Sequence, residues 1–169
     1  MNKQSEFTGI KSTAAIGTHP LHPMVIPFPI AFLIGAAVSD IVFASTKIPF
    51  WAGTSYWLLL SGLIMGGVAG VGGMIDFFTI RRARNPSGWV HAIGNISAVV
   101  ITLINFLLRL DNPTTSVVPA GITLSIVTGV LLLITGWFGG ELAYRYAIGV
   151  QPRTEALKIS KPQDYSKAA

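Results

Sequence analysis

The chain contains no cysteine, which excludes disulfides, thiolate metal sites, iron–sulfur clusters and a cysteine nucleophile. That absence does not by itself fix a redox compartment. Charge is scarce as well. Only 11% of the 169 residues are Asp, Glu, Lys or Arg, where a soluble domain carries about 25%. Histidine is limited to three residues, so imidazole chemistry is confined to His19, His22 and His91.

What is abundant is apolar surface: 51% of the residues are hydrophobic, a composition that points to a membrane protein. The runs 24–45, 56–75, 92–108 and 117–138 share a single charge, Asp40. Each is long enough for a helix to cross a ~30 Å hydrocarbon core. Within lipid every backbone N–H and C=O must be bonded inside its own segment, so these runs should be helices. The fold class expected is all-α, an integral membrane four-helix bundle made of two helical hairpins. Residues 1–23 read as a cytoplasmic arm, 24–150 as the transmembrane domain and 151–169 as a polar, mixed-charge tail. The arm lacks the apolar core of a signal peptide, and the first span reads as uncleaved.

The net charge of +5 does not imply nucleic acid, because the basic residues sit in short segments beside the spans. Lys3, Lys11, Arg81, Arg82, Arg84, Arg145, Arg153, Lys158, Lys161 and Lys167 fall on one side; Lys47 and Arg109 fall on the other. The positive-inside rule then places both termini and the middle loop in the cytoplasm of a bacterial inner membrane protein. The outer connectors, KIPFWAG and DNPTT, carry turn residues, and RRARNPSGW separates the two hairpins. Each hairpin has a histidine before its first helix and an acid after its second: His22 with Asp76, His91 with Glu141. Both acids follow a Gly-Gly pair, in GGMIDFF and GGELAY, as a parallel repeat about the membrane normal would have it. The four groups should converge near one mouth of the bundle.

GTHPLHPMVIPFPI, residues 17–30, gathers two of the histidines and four of the ten prolines. His19 and His22 each precede proline, a position biased to extended geometry. Both imidazoles are therefore expected on a stiff, non-helical arm, which loses little entropy on holding a ligand. The plainer alternative is that they cap backbone groups at the interface. His91, Asn95, Ala98, Thr102, Asn105 and Arg109 step by three or four residues and so share one helical face. Such a polar seam should face the bundle interior, where it serves a site or joins helices through hydrogen bonds. Gly62, Gly66 and Gly70, with Gly136 and Gly140, permit either close helix packing or clearance for a flat cofactor such as haem. Asp40 lies ~24 Å along the first helix from Met24, and is left outside the cluster.

HPLHP, the GMID end of the second helix, HAIGN and GGELAYRYAIGV together resemble the bacterial membrane family known as domain of unknown function 2231. The resemblance covers roughly residues 18–150. Some relatives are fused to Rieske iron–sulfur domains, and the family is distantly similar to small membrane-bound b-type cytochromes. That resemblance implies electron transfer, with any Rieske-type partner a separate chain, since no such ligands occur here. On this reading b-type haem or a transition metal is bound by His22 and His91, with His19 in reserve and Met24 and Met74 as fallback ligands. Asp76, Asn95 and Glu141 would orient the imidazoles from behind. The competing reading is a non-catalytic membrane scaffold or partner subunit whose histidines and acids form a polar plug. Whether the chain is an enzyme, or a homo-oligomer, is left open.

Overall fold

In the computed structural model, which describes residues 9–150, the protein is an all-α integral membrane four-helix bundle. A two-residue β-hairpin, β1 (Ala15–Ile16) and β2 (His19–Pro20), precedes a short helix α1 (Leu21–Val25). The four long helices follow: α2 (Pro27–Thr46), α3 (Pro49–Thr79), α4 (Pro86–Leu107) and α5 (Ile122–Tyr144). With α1 joined to α2, and a π-type turn Val117–Gly121 leading into α5, all four spans are long and apolar enough to cross a bilayer.

Three of the long helices begin with proline at or next to the first position, where the missing N–H costs no helical bond. This shortens the expected connectors. Between α2 and α3 only Lys47 and Ile48 remain non-helical, and Lys47 turns the chain with φ 57°. The rest of KIPFWAG belongs to α3, which runs for 31 residues. At the far end a 3-10 turn, Arg81–Ala83, leads to Asn85, whose side chain caps α4 by accepting from the Gly88 N–H at 2.9 Å. A Cβ on Gly88 would collide with the Ala83 carbonyl, so only glycine lets this loop close so tightly.

The hairpins α2–α3 and α4–α5 pack side by side, α2 against α5 and α3 against α4, leaving α2 and α4 on a diagonal. Leu33, Ala36, Leu59, Ala98 and Leu132 form the central apolar core, and Phe43, Ala52 and Val117 a smaller one. Much of the remaining interior is polar: Ser39, Asp40, Ser55, Thr102, Asn105, Arg109, Ser125, Thr128 and Thr135 are all buried. Large apolar side chains such as Trp57, Val71, Leu133 and Trp137 point outward. Lipid solvates them, whereas buried polar groups can only be satisfied inside the bundle.

The N-terminal segment folds back over one end. Ile10 bonds to Ala147 and Gly149, joining the start of the described chain to its end. The arm also differs from the extended expectation at His22, which lies in helix α1. Pro23 is the third residue of that helix, where an N–H has no intrahelical acceptor to lose, so proline is tolerated and His22 enters the helical region. His19 stays extended, in β2. The expected tail, 151–169, lies outside the described residues, as do residues 1–8.

Candidate functional site

His22 and His91 meet across the diagonal. Their ring centres are 5.9 Å apart and the planes are nearly perpendicular, at 86°. Each ring is anchored by a carbonyl of its own hairpin's second helix. His22 Nδ1 lies 2.8 Å from the Ala69 oxygen on α3, and His91 Nδ1 lies 2.8 Å from the Thr135 oxygen on α5. A carbonyl only accepts, so both Nδ1 atoms carry the proton and donate. In the neutral tautomer this leaves a lone pair on Nε2, the form in which imidazole binds a metal.

Those carbonyls are already engaged in their helices, and an ordinary side chain one turn on would screen them. Glycine stands there in both cases. A Cβ at Gly73, four residues after Ala69, would come within 2.9 Å of His22 Nδ1. A Cβ at Gly139, four residues after Thr135, would come within 2.9 Å of His91 Cε1. The two hairpins therefore repeat one device: a carbonyl, a glycine one turn later and an imidazole lying over both.

The acids make other bonds, although Asp76 lines the same cavity as both imidazoles. Asp76 accepts from Ser12 Oγ at 2.6 Å, the Thr13 N–H at 2.8 Å, Thr13 Oγ1 at 2.9 Å and the Ala14 N–H at 3.0 Å. Thr13 also pairs with the Thr79 hydroxyl. Asp76 thus staples the N-terminal segment to the end of α3. Glu141 accepts from Ser87 Oγ at 2.5 Å and from Arg145 at 2.6 Å, tying α5 to the start of α4. In each hairpin a serine ahead of the histidine bonds the acid, but among the described residues neither carboxylate bonds an imidazole. The role expected of them behind the rings falls to the carbonyls of Ala69 and Thr135.

Asn95 does stand beside His91. Its Nδ2 donates to the His91 carbonyl at 2.7 Å, and its Oδ1 accepts from Thr135 Oγ1 at 3.3 Å. The 3.4 Å approach of Asn95 Nδ2 to His91 Nδ1 joins two donors once Nδ1 is protonated, so the carbonyl contact is the one that holds. Thr135 thereby supports His91 twice, through its own carbonyl and through Asn95. His19 is exposed in β2 and is not brought to the pair. Met74 lines the neighbouring cavity, and Met24 is exposed.

The histidines border a cavity of about 620 Å³, within the ~300–1,000 Å³ range of ligand pockets. It runs from Pro20 and His22 to Leu33 and Thr102, bounded by glycines of α3 and α5. Among the described residues, no three His, Asp or Glu side chains form a group able to hold a metal ion. The protein's ligating power here is two imidazoles. Metal–imidazole bonds are about 2.0 Å, so two rings facing each other across one metal have centres roughly 6 Å apart. The ring separation and the chemistry of the donors fit two imidazoles sharing one metal.

Sequence reasoning missed a second polar centre at the opposite end. Asp40 and Arg109, both fully buried, form a bidentate pair at 2.7 and 2.8 Å. Arg109 also donates to Ser55 Oγ and, through Nε and Nη2, to Asn105 Oδ1. Asn105 Nδ2 donates to the Gly121 carbonyl and to Ser125 Oγ, which in turn donates to Asp40 at 2.6 Å. All five guanidinium donor positions are used, and every long helix contributes. The signal was present: Asp40 is the lone charge in the apolar runs, and Arg109 ends the polar seam of α4.

Residues 18–152 match the model of a family described as "Predicted membrane protein (DUF2231)". Neither the curated proteins nor the solved structures contain a match.

Proposed function

Since the chain belongs to the DUF2231 family of membrane proteins, we propose that it is a membrane-embedded electron-transfer component. Its site is the pair His22 and His91, which ligates a haem iron or another transition metal between the hairpins. The observation that carries this reading is the matched anchoring of the two rings. Each donates Nδ1–H to a helix carbonyl at 2.8 Å, which fixes the tautomer and leaves Nε2 as a ligand. When bound, a haem iron supplies one-electron redox chemistry. The protein would supply His22 and His91 as ligands, their fixed orientation and largely apolar surroundings.

Positive residues at the histidine end, Lys11, Arg81, Arg82, Arg84 and Arg145, support a reading in which that end faces the cytoplasm across a bacterial inner membrane. Electrons would then be exchanged with a separate protein, of the Rieske type or similar, at that face. The test is loading. Wild type from haem-replete cells should carry haem or a transition metal with a bis-imidazole absorption spectrum. His22→Ala and His91→Ala should each lose at least tenfold of it.

A scaffold role is favoured by a different observation: the carboxylates are committed to stapling chain segments, Asp76 to residues 12–14 and Glu141 to Ser87. On that reading the histidines complete a polar plug. Equal, negligible loading of wild type and both histidine variants would establish it over the redox reading.

A further inference from the structure

The loop between the hairpins carries three arginines whose side chains have no partner inside the protein. Arg81, Arg82 and Arg84 are exposed, and among the described residues their guanidinium groups make no hydrogen bond or ion pair. The nearby acids are already engaged, Asp76 with residues 12–14 and Glu141 with Ser87 and Arg145. Trp89, one turn into α4, is half exposed, and tryptophan favours the headgroup level of a membrane. The loop beside it therefore stands at the level of the lipid phosphates.

Ala83, between the arginines, turns the other way: it is buried and lines the cavity. From there the cavity opens sideways. Met74 on α3 and Ile96 and Val100 on α4 line it too, yet all three are exposed. They make a slit toward lipid along the seam between the hairpins. Counted at about 1.5 Å per residue from the loop ends of their helices, they lie ~8, ~15 and ~21 Å deep. One leaflet contributes ~15 Å of hydrocarbon, half of a ~30 Å core. The slit thus lies below the arginines and spans the depth of one acyl chain. Membrane topology accounts for a basic loop. It does not account for an apolar cavity that opens beneath that loop.

We infer that this seam binds an anionic phospholipid, its phosphate held by Arg81, Arg82 and Arg84 and one acyl chain inserted into the cavity between α3 and α4. The inference goes beyond the imidazole-pair reading and stands or falls without it, since the cavity continues past the histidines to Leu33 and Thr102. Guanidinium groups suit phosphate oxygens through paired N–H donors. Each basic group at the membrane surface favours anionic lipid by about fivefold. The chain meets mostly apolar side chains, in a cavity of about 620 Å³ that falls in the size range of ligand pockets. Arg145, which follows α5, is spent on Glu141, so the unpaired charge singles out the α3–α4 side.

The test is lipid competition on the full-length protein. Protein stripped of lipid in neutral detergent is offered an equimolar mixture of phosphatidylglycerol and phosphatidylcholine with identical chains. Native mass spectrometry then counts the lipid retained. Wild type should hold one phosphatidylglycerol with a preference of about tenfold or more. Arg81→Gln, Arg82→Gln and Arg84→Gln combined should bring the two lipids to within about twofold. Lys47→Gln, at the other end of the bundle, should leave the preference unchanged. Filling the slit with Val100→Trp should lower phosphatidylglycerol retention by about fivefold or more, at wild-type helicity and melting. Ile93→Trp, exposed on α4 but outside the cavity, should not. Ile96→Phe serves if Val100→Trp does not fold, and should show a loss of the same sign. No preference in wild type, or one that the triple arginine variant keeps, overturns the inference. So does an equal loss in Lys47→Gln, which would mark nonspecific attraction. Unchanged retention by the folded slit variants overturns it as well, because the chain would then lie outside the cavity.

Discussion

Asp40 and Arg109 show what a buried charge requires. Either charge left unpaired in an apolar interior would be costly, and the structure answers with a bidentate pair whose other valences go to Ser55, Asn105 and Ser125. Removing one partner should be far worse than removing both. Asp40→Ala or Arg109→Ala should cost about 3–5 kcal/mol, whereas Asp40→Leu with Arg109→Met should recover most of that loss. Unfolding of each variant in mixed micelles measures it; a double variant no better than either single one would refute the account. Thr128 is the contrasting case, since its buried hydroxyl has no partner among the described residues. Thr128→Val should be neutral or stabilising by up to about 1 kcal/mol, measured by the same unfolding assay. The pairing of Asp40 with Arg109 was legible in principle, as two isolated charges on the same outer side of an apolar chain. Counting Arg109 as a topology signal and judging Asp40 by depth alone kept them apart.

At the scale of elements, the periodicity of α4 was readable because an inward seam leaves a direct trace in sequence. Ala98, Thr102, Asn105 and Arg109 all proved buried. Helix ends were less readable, because proline at a first turn and proline in a connector look alike until packing chooses. Pro49 opens α3, and Pro23 sits within α1 rather than keeping His22 extended. The clasp at Asp76 was not readable at all, since Ser12, Thr13 and Ala14 form no motif and meet the carboxylate only when the chain folds back. It makes a local prediction. Hydrogen bonds to a charged group contribute about 1.5–3 kcal/mol. Losing about 2 kcal/mol raises local opening roughly thirtyfold, at a tenfold change per 1.4 kcal/mol. Asp76→Ala should therefore speed amide exchange at Thr13 and Ala14 by that order while leaving mid-helix amides of α3 unchanged. Unchanged exchange at those two amides would show that the segment is held by other contacts, such as the Ile10 bonds to Ala147 and Gly149.

For the whole molecule, the duplicated hairpin links sequence to site. Sequence revealed the repeat through a histidine ahead of each hairpin and an acid behind it. The structure adds the part that composition hides, the backbone carbonyl exposed by a glycine one turn later. A main-chain acceptor has no letter of its own, so only its accompanying glycine could have betrayed it. The same duplication places both histidines, the 81–84 loop and the two ends of the described chain at one end of the bundle, and the buried ion pair at the other. An even number of spans requires that arrangement, and the positive-inside rule predicts the histidine end as the inner one. Lys11, Arg81, Arg82, Arg84 and Arg145 lie at the histidine end, against Lys47 at the other, because Arg109, in the turn after α4, is consumed by its interior pair. The asymmetry is therefore stronger than a count of loop charges alone suggests. Alkaline phosphatase and green fluorescent protein fusions are to be placed after Lys47 and after Arg84. The Lys47 fusion should be active only as phosphatase and the Arg84 fusion only as fluorescence. The reversed pattern would put the histidine pair on the outer face, and any redox partner would then have to be sought there.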